Sequence, residues 1–302
     1  GSMYLITGGR KTQSALYRVS YTGQPVLRNF SVHEKECREY SEKLRSEQAA
    51  LLRGDADVRP TIGQLTFDDS VIRHAARIAL ERLDLATWRD ETLKADSPNL
   101  FALLALARAR RAEDVPEIVK SLFRCDPKQL NLSEQMAWVR IAGLCLETSR
   151  TAVEELKQPL IKELLALGSL LARGEKYRPE LYVAPEGTSD QLRHRIALLL
   201  GELGASELPA LVVSQLFSSS RQEDQLLGLL ATRNLTTGWT LDTRKEQFRI
   251  LNEMPRMIGG AGLPPFEKWL RPQILKTMSK EEEAALAELI EPRQTVSNEP
   301  LP

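Results

Sequence analysis

Two segments decide the fold: residues 66–83, TFDDSVIRHAARIALERL, and residues 188–203, TSDQLRHRIALLLGEL. Each opens with the spacing of a capping box, Thr66–Asp69 in the first and Thr188–Gln191 in the second. Each then places an apolar residue before an Arg-His pair and repeats apolar side chains at the same four offsets. Those side chains are Ile72, Ala76, Ala79 and Leu83 in the first segment, and Leu192, Ile196, Leu199 and Leu203 in the second. The spacing predicts one amphipathic helix that occurs twice, and therefore an internal repeat.

Further helices are predicted along most of the chain, and helix pairs recur every ~30–40 residues, a spacing typical of HEAT repeats. Ser220–Glu223 and Ser279–Glu282 add two capping boxes, and Asp126–Pro127, Gly204 and Gly238 mark breaks. The additional predicted helices span 33–52, 99–110, 115–123, 133–146, 153–173, 208–217, 223–234, 241–254, 266–278 and 280–290. One pair cannot bury its apolar face alone, so neighbours must stack. We therefore predict an all-α fold, an α-solenoid of stacked HEAT-like antiparallel helix pairs.

The N-terminal residues have a different character from the rest of the chain. Tyr4–Thr7 and Ala15–Tyr21 are rich in β-branched and aromatic residues, and Gly8–Lys11 lies between them. This pattern predicts a short β-hairpin. An isolated hairpin is marginally stable in water, so we expect it to lie against the helices, to pair with another chain, or to be poorly ordered.

Composition shifts give the predicted domain organisation. Gly1–Met3 is typical of a cloning remnant, and the Gly- and Pro-containing stretch before residue 189 predicts a loop. The predicted divisions are residues 1–30 as that remnant with the hairpin, 31–175 as the first half of the solenoid, 176–188 as a linker loop, 189–290 as the second half, and 291–302 as a disordered tail.

The charge balance argues against several classes of partner. Basic and acidic side chains number 41 each, so the net charge is zero and no long-range attraction to nucleic acid is expected. The longest uncharged apolar run, Leu100–Ala107, is far shorter than the ~20 residues that span a bilayer. Cys37, Cys125 and Cys145 are isolated, which indicates structural thiols and no disulfide framework.

Motifs that carry catalysis or bind cofactors are not found in the sequence. The three histidines, His33, His74 and His194, are dispersed, and the last two occupy equivalent positions of the repeat, which favours packing or capping roles. The segments Gly201–Gly204 and Gly259–Gly262 favour a helix end and an interhelical turn over phosphate or anion binding. We predict no catalytic, cofactor-binding or metal-binding residues, and no enzymatic activity in this segment.

Three groups of residues resemble one known family. Residues 4–21, YLITGGRKTQSALYRVSY, resemble the last β-propeller blade of large proteins from the Planctomycetes–Verrucomicrobia group. Residues 72–81, IRHAARIALE, resemble the HEAT-like helix that follows that propeller. A third group of residues resembles the end of the same helical region: Gly238-Trp239-Thr240, Arg244, Phe248, Leu251-Asn252, Gly259-Gly260 and Ser279–Glu282. The hairpin would then be a propeller remnant and the chain the solenoid part of a longer bacterial protein.

The resemblance implies two functions. Some relatives are grouped as membrane-coat-like proteins, and others carry a haem c domain and are labelled dehydrogenases. Both groups are exported, which implies a periplasmic parent protein that associates with membranes indirectly. No functional residue of the family falls in this chain.

Three hypotheses follow. The first is a non-enzymatic scaffold, the α-solenoid domain of a membrane-coat-like protein, with protein partners or self-assembly. The second is a spacer between a propeller dehydrogenase and a haem c domain in an exported oxidoreductase. The third, a nucleic-acid-binding HEAT array, is disfavoured by the neutral charge. A CxxCH motif beyond Pro302 in the parent protein would favour the second hypothesis over the first.

Overall fold

The chain is mostly helical, and its two strands form one hairpin. The computed structural model describes residues 2–9, 12–20, 22–23, 31–53, 57–67, 69–171, 189–259 and 261–290. The predicted loop 176–188 and the predicted tail 291–302 lie outside the described residues. The chain divides into two compact units, residues 1–47 and 48–302. The prediction of an all-α fold with a short N-terminal hairpin is confirmed at this level.

The hairpin of the first unit pairs β1 (Ser2–Gly9) with β2 (Thr12–Ser20) in antiparallel register. Leu5 lies opposite Tyr17, and Ile6 lies opposite Leu16. Because successive side chains of a strand point to opposite faces, these two pairs lie on different faces of the hairpin. All four side chains are exposed, so both faces of the hairpin carry apolar surface.

Helix α1 (Val32–Leu52) is long, charged and without a buried residue. Ser31 and Glu34 start it as a reciprocal cap, in which each side chain accepts a hydrogen bond from the other residue's amide, at 2.8 and 3.2 Å. An i,i+4 ion pair between Arg38 and Glu42, at 3.0 Å, lies on its surface. Local caps and pairs of this kind, rather than core packing, account for this helix.

The second unit consists of short and medium-length helices joined by turns. Its helices are α2 (Val58–Gln64), α3 (Ser70–Arg82), α4 (Arg89–Lys94), α5 (Leu100–Arg108), α6 (Val115–Leu122), α7 (Leu132–Thr148), α8 (Arg150–Val153), α9 (Lys157–Leu171), α10 (Ser189–Leu203), α11 (Leu208–Val212), α12 (Gln222–Thr232), α13 (Leu241–Glu253), α14 (Leu263–Leu275), α15 (Lys280–Ala285) and α16 (Ala287–Ile290). A π-helical turn, Val213–Phe217, extends α11. The helix predicted over 153–173 is instead α9 preceded by α8 and a 3₁₀ turn.

The predicted N-terminal caps are confirmed only in part. Ser279 and Glu282 form the predicted capping box. The one predicted at Thr66 is wrong, because α3 begins later and Asp69 accepts hydrogen bonds from the amides of Val71 and Ile72. The box predicted at Ser220–Glu223 is also wrong, because α12 begins after Arg221, which provides no side-chain cap. Thr188 lies outside the described residues.

Two glycines lie in breaks between helices, as the sequence predicts. Gly204 follows the last residue of α10 with φ of 69°, and Gly238 precedes α13 with φ of 80°. Glycine tolerates this left-handed region because it has no Cβ. At Gly238 a Cβ would also lie 1.8 Å from the carbonyl oxygen of Ser206, so the turn brings two backbones into close contact.

The helices of the second unit pack as a continuous series of neighbours. Helix α3 packs on α5, α5 on α7, α7 on α10, and α10 on α12. We call these five helices the helix row. Helices close in sequence pack beside the row, with α2 on α3, α4 and α6 on α5, α6 on α7, α9 on α10 and α11 on α12. The buried Trp138 of α7 links the two sets, since its indole N–H donates to the Leu122 carbonyl of α6 at 3.2 Å.

A buried guanidinium joins the last helices of the unit. Arg244 of α13 is fully buried, with its charge centre 4.0 Å from the centre of the Trp239 ring. It donates to the side-chain oxygens of Gln247 at 2.9 Å and Glu282 at 3.2 Å, and to the Thr277 carbonyl at 3.2 Å. Burial lowers the pKa of Arg244, and the hydrogen bond to Glu282 opposes that shift. Removing this side chain would leave several buried polar groups without a partner.

The contact between α10 and α12 requires a glycine at position 201. A Cβ on Gly201 would lie 1.9 Å from the Ala231 carbonyl oxygen, whereas a Cβ on Gly143 in α7 would meet nothing within 4 Å. We expect Gly201→Ala to reduce the free energy of unfolding by about 1–3 kcal/mol through overpacking, although alanine is the better helix former.

Gly143→Ala is the matched control and should raise the free energy of unfolding by up to about 1 kcal/mol. Urea denaturation followed by circular dichroism measures both variants. Equal stability of Gly201→Ala and the original protein would contradict the close approach of α10 and α12.

Candidate functional site

The three histidines are not brought together. His33 lies in α1 near the Cys37 sulfur at 3.7 Å, and His74 lies in α3 beside the Arg77 guanidinium at 3.1 Å. His194 lies in α10 and pairs with Asp224. In the described part of the chain, no three His, Cys, Asp or Glu side chains are grouped to hold a metal ion.

His194 belongs to a polar network between the N-terminal ends of α10 and α12. Its Nε2 lies 2.6 Å from one carboxylate oxygen of Asp224, and the Ser219 hydroxyl donates to the other at 2.7 Å. Asp224 is 2% exposed. Beside it, Asp190 pairs with Arg221 of the neighbouring segment at 2.6 Å. The network therefore ties the start of α10 to the start of α12.

This network has the residue types of a Ser-His-Asp triad but not its connectivity. In a triad the imidazole lies between the hydroxyl and the carboxylate, so that it can accept the hydroxyl proton. Here Asp224 lies between Ser219 and His194 and accepts from both. The geometry supports a structural role. Burial raises the pKa of Asp224, but the hydrogen bonds from Ser219 and His194 outweigh this effect, and the pKa is lowered.

Ion pairs also connect the C-terminal ends of the helix row. Glu81 at the end of α3 pairs with Arg108 of α5 at 2.7 Å. After α5, Arg110 pairs with Glu147 at the end of α7 at 2.9 Å. At the end of α10, one side chain, Glu202, pairs with Arg150 and Arg233 at 2.5 and 2.8 Å. We call this series the C-terminal ladder.

The ladder fixes the direction of the helices in the row. Neighbouring helices meet at their C-terminal ends through the ladder, and α10 and α12 meet at their N-terminal ends through the His194–Asp224 network. At the start of α3, Arg73 lies over the ring of Phe101 at the start of α5, at 5.9 Å. Helices α3 and α5, and helices α10 and α12, meet at both ends and therefore run parallel. Helices α5, α7 and α10 pack on one another with their C-terminal ends together, which gives them the same direction.

Four guanidiniums on the row form what we call the arginine cluster: Arg77 of α3, Arg108 of α5, Arg140 of α7 and Arg195 of α10. Arg77 and Arg108 both pair with Glu81. Arg140 and Arg195 are exposed, and neither forms a hydrogen bond or ion pair with a residue in the described part of the chain. The cluster thus combines four positive charges with one paired carboxylate.

Sequence spacing places the two unpaired arginines in the same register. Arg140 stands seven residues before Glu147, and Arg195 stands seven residues before Glu202. Seven residues are two turns, about 10.5 Å along a helix, and both glutamates belong to the C-terminal ladder. Burial lowers the pKa of Arg140, and the charges of Arg195, Arg108 and Arg77 lower it further. The other three guanidiniums are therefore close enough to Arg140 to repel it.

A groove of about 810 Å³ is lined by charged residues of both signs. It lies between the segment 123–128 and helix α9, and Cys125 is part of its wall. Burial raises the pKa of Cys125, and the pKa of Cys145 in α7 is raised to about 12 by burial. The thiolate is the nucleophilic form of cysteine, so neither thiol is activated.

Comparison with protein-family models, curated proteins and solved structures finds no match. The family resemblance stays a hypothesis. No helix among the described residues has the length and apolar character needed to cross a membrane.

The sequence analysis missed both the arginine cluster and the buried network around Asp224. The repeated Arg-to-Glu spacing in α7 and α10 was the available signal for the cluster. The partners of Asp224 carried no such signal, because they come together only through the contact of α10 with α12.

The network around Asp224 gives a pH-dependent prediction. We expect Asp224→Ala to reduce the free energy of unfolding at pH 7 by about 3–5 kcal/mol, because His194 and Ser219 lose a buried partner. The folded-state pKa of Asp224 is lowered, so its contribution is complete above the ordinary Asp pKa of about 4 and is lost as pH falls through the folded value.

The difference in the free energy of unfolding between Asp224→Ala and the original protein should therefore become smaller at acidic pH. Urea denaturation at neutral and acidic pH measures this difference. Asp242→Ala is the control, since Asp242 is 92% exposed and should change stability by less than about 0.5 kcal/mol. An equal loss of unfolding free energy in Asp224→Ala and Asp242→Ala would contradict the structural role of the network.

Proposed function

We propose that this chain is a non-enzymatic scaffold, an α-solenoid of stacked HEAT-like helix pairs that holds protein partners. The observation that carries the proposal is the row of parallel helices α3, α5, α7, α10 and α12, each in contact with the next. A repeating row with a second helix beside each member is the arrangement from which solenoids are built. Such an array offers many side chains along one face, and contacts with a partner can accumulate there.

The chemistry of the described residues supports a scaffold over a catalyst. The only histidine paired with a buried carboxylate in this part of the chain, His194, is held on the far side of that carboxylate from the serine hydroxyl. Cys125 and Cys145 have raised pKa values. The buried charged groups of Arg244 and Asp224 are hydrogen-bonded to protein partners inside the fold.

The parent protein, in this proposal, is a periplasmic membrane-coat-like protein of bacteria, and the hairpin is the end of its propeller. The support is the sequence resemblance, which includes Trp239, Arg244 and Glu282, and the buried guanidinium of Arg244 contacts both of the other two side chains. Membrane association would then come from the rest of the parent protein. The spacer between a dehydrogenase propeller and a haem c domain is the second candidate, on the same resemblance.

Hydrogen exchange tests the solenoid arrangement. In a solenoid each repeat contacts only its neighbours, so damage at one end should stay local. We expect Arg244→Met to increase amide exchange in α12–α15 while α3 and α5 keep their protection.

The control is Lys245→Met on the same helix, because Lys245 is 54% exposed and its loss should leave exchange unchanged. Loss of protection in α3 and α5 together with α12–α15 would show one cooperative domain and count against the solenoid.

Liposome flotation tests the coat-like role. The longer parent protein should float with vesicles or fractionate with membranes, while the present chain alone should bind lipid weakly, because its net charge is zero. A parent protein that stays in the aqueous fraction and carries covalent haem would replace the coat-like function with the redox spacer.

A further inference from the structure

At the C-terminal edge of the helix row, a carboxylate is repeatedly held between two guanidiniums. Glu81 is held by Arg77 and Arg108, and Glu202 is held by Arg150 and Arg233. In both cases the two arginines come from different segments, and the carboxylate links them. This arrangement suits Arg, whose planar group presents several N–H donors to a carboxylate.

Arg140 and Arg195 have no carboxylate partner in the described part of the chain, and Arg195 is close enough to Arg140 to lower its pKa. They lie on the neighbouring helices α7 and α10, each two turns before a glutamate of the C-terminal ladder. Packed helices are about 8–10 Å apart, a distance that two long Arg side chains can bridge to reach one carboxylate. Both side chains are exposed, so a partner can reach them.

We propose that the arginine cluster is a docking site for an acidic segment of a protein partner, with a carboxylate of that segment held between Arg140 and Arg195. This inference rests on the proposed scaffold function and names the chemistry of the partner. The bound carboxylate repeats the way in which Glu81 and Glu202 are held inside the chain. It also relieves the repulsion between Arg140 and the other three guanidiniums.

The surroundings of the cluster favour an acidic protein segment over nucleic acid. Glu81 lies inside the cluster, and Glu147 and Glu202 lie about 10.5 Å from the two unpaired arginines along their helices. Each of these carboxylates is itself paired with an arginine. A protein segment can place a single carboxylate between two guanidiniums, as Glu81 and Glu202 are placed inside the chain, whereas a nucleic acid carries a phosphate at every nucleotide. The zero net charge of the chain provides no long-range attraction for a polyanion.

Binding of a fluorescein-labelled peptide with two adjacent glutamates among serine and glycine residues, measured by anisotropy at an ionic strength of about 0.01 M, tests the proposal, since exposed charges are little screened there. We expect the double variant Arg140→Gln/Arg195→Gln to weaken binding by about tenfold, because it removes two charge-assisted pairs. Both side chains are exposed, and circular dichroism will verify that the variant is folded. The double variant Arg140→Lys/Arg195→Lys keeps the charges but loses the planar donors, and should bind with intermediate affinity.

The matched control is Arg59→Gln/Arg256→Gln, which removes the same charge from two exposed arginines outside the cluster. It should retain most of the peptide affinity. Equal weakening in the control and in the cluster variant would overturn the proposal, since binding would then follow net charge alone. Absence of peptide binding to the original protein would also overturn it.

A single-stranded oligonucleotide of the same length provides the second arm. Weaker binding of the oligonucleotide than of the peptide supports an acidic protein segment. Tighter oligonucleotide binding that depends on Arg140 and Arg195 would overturn this choice of partner.

The hydrogen-exchange result for Arg244→Met separates the two proposals. If the increase in amide exchange is confined to α12–α15 and the peptide does not bind, the docking site is contradicted and the scaffold proposal stands. If the peptide binds and amide exchange increases throughout the second unit, the solenoid proposal is contradicted and the docking site stands.

Discussion

The structure depends on the parallel register of the five helices in the row. Apolar burial has no direction and would allow neighbouring helices to slide, while polar contacts at the helix ends have definite partners. Asp224 and His194 hold the starts of α10 and α12, and Glu202 and Arg233 hold their ends. Exposed ion pairs contribute little free energy. Burial of the apolar stripes therefore supplies the stability, and the end contacts select one register from several of similar energy.

The repeated segments keep their apolar pattern and differ in their polar contacts. Ile72 and Leu192 are both fully buried at equivalent positions. The residues that follow them differ, because Arg73 lies over Phe101 whereas Arg193 pairs with Asp190 at 2.5 Å. A repeat of this kind needs a constant apolar face so that each helix can contact the next. The polar face is free to change.

The sequence predicted those features that depend on residue spacing within one helix. Seven of the eight apolar positions quoted for the two segments are buried, and Leu83, which caps α3, is partly buried. The cap at Thr66 was wrong because another acceptor, Asp69, lies closer to the first turn. The neighbours of Asp224 and Arg244 could not be predicted, since His194 and Glu282 are about thirty and forty residues away. Such pairs arise from tertiary contacts, which spacing in one helix does not encode.

The net charge of zero does not describe the local electrostatics of this molecule, because positive and negative side chains are unevenly distributed over its surface. The zero balance hides Arg140, which is close enough to Arg195, Arg108 and Arg77 to be repelled by them. Unpaired like charges destabilise the free chain slightly, and a partner that supplies a carboxylate removes that cost. Glu147 and Glu202 are already paired with arginines, so the guanidiniums beside them are occupied. A carboxylate therefore has a definite position at Arg140 and Arg195, which a uniformly basic face would lack.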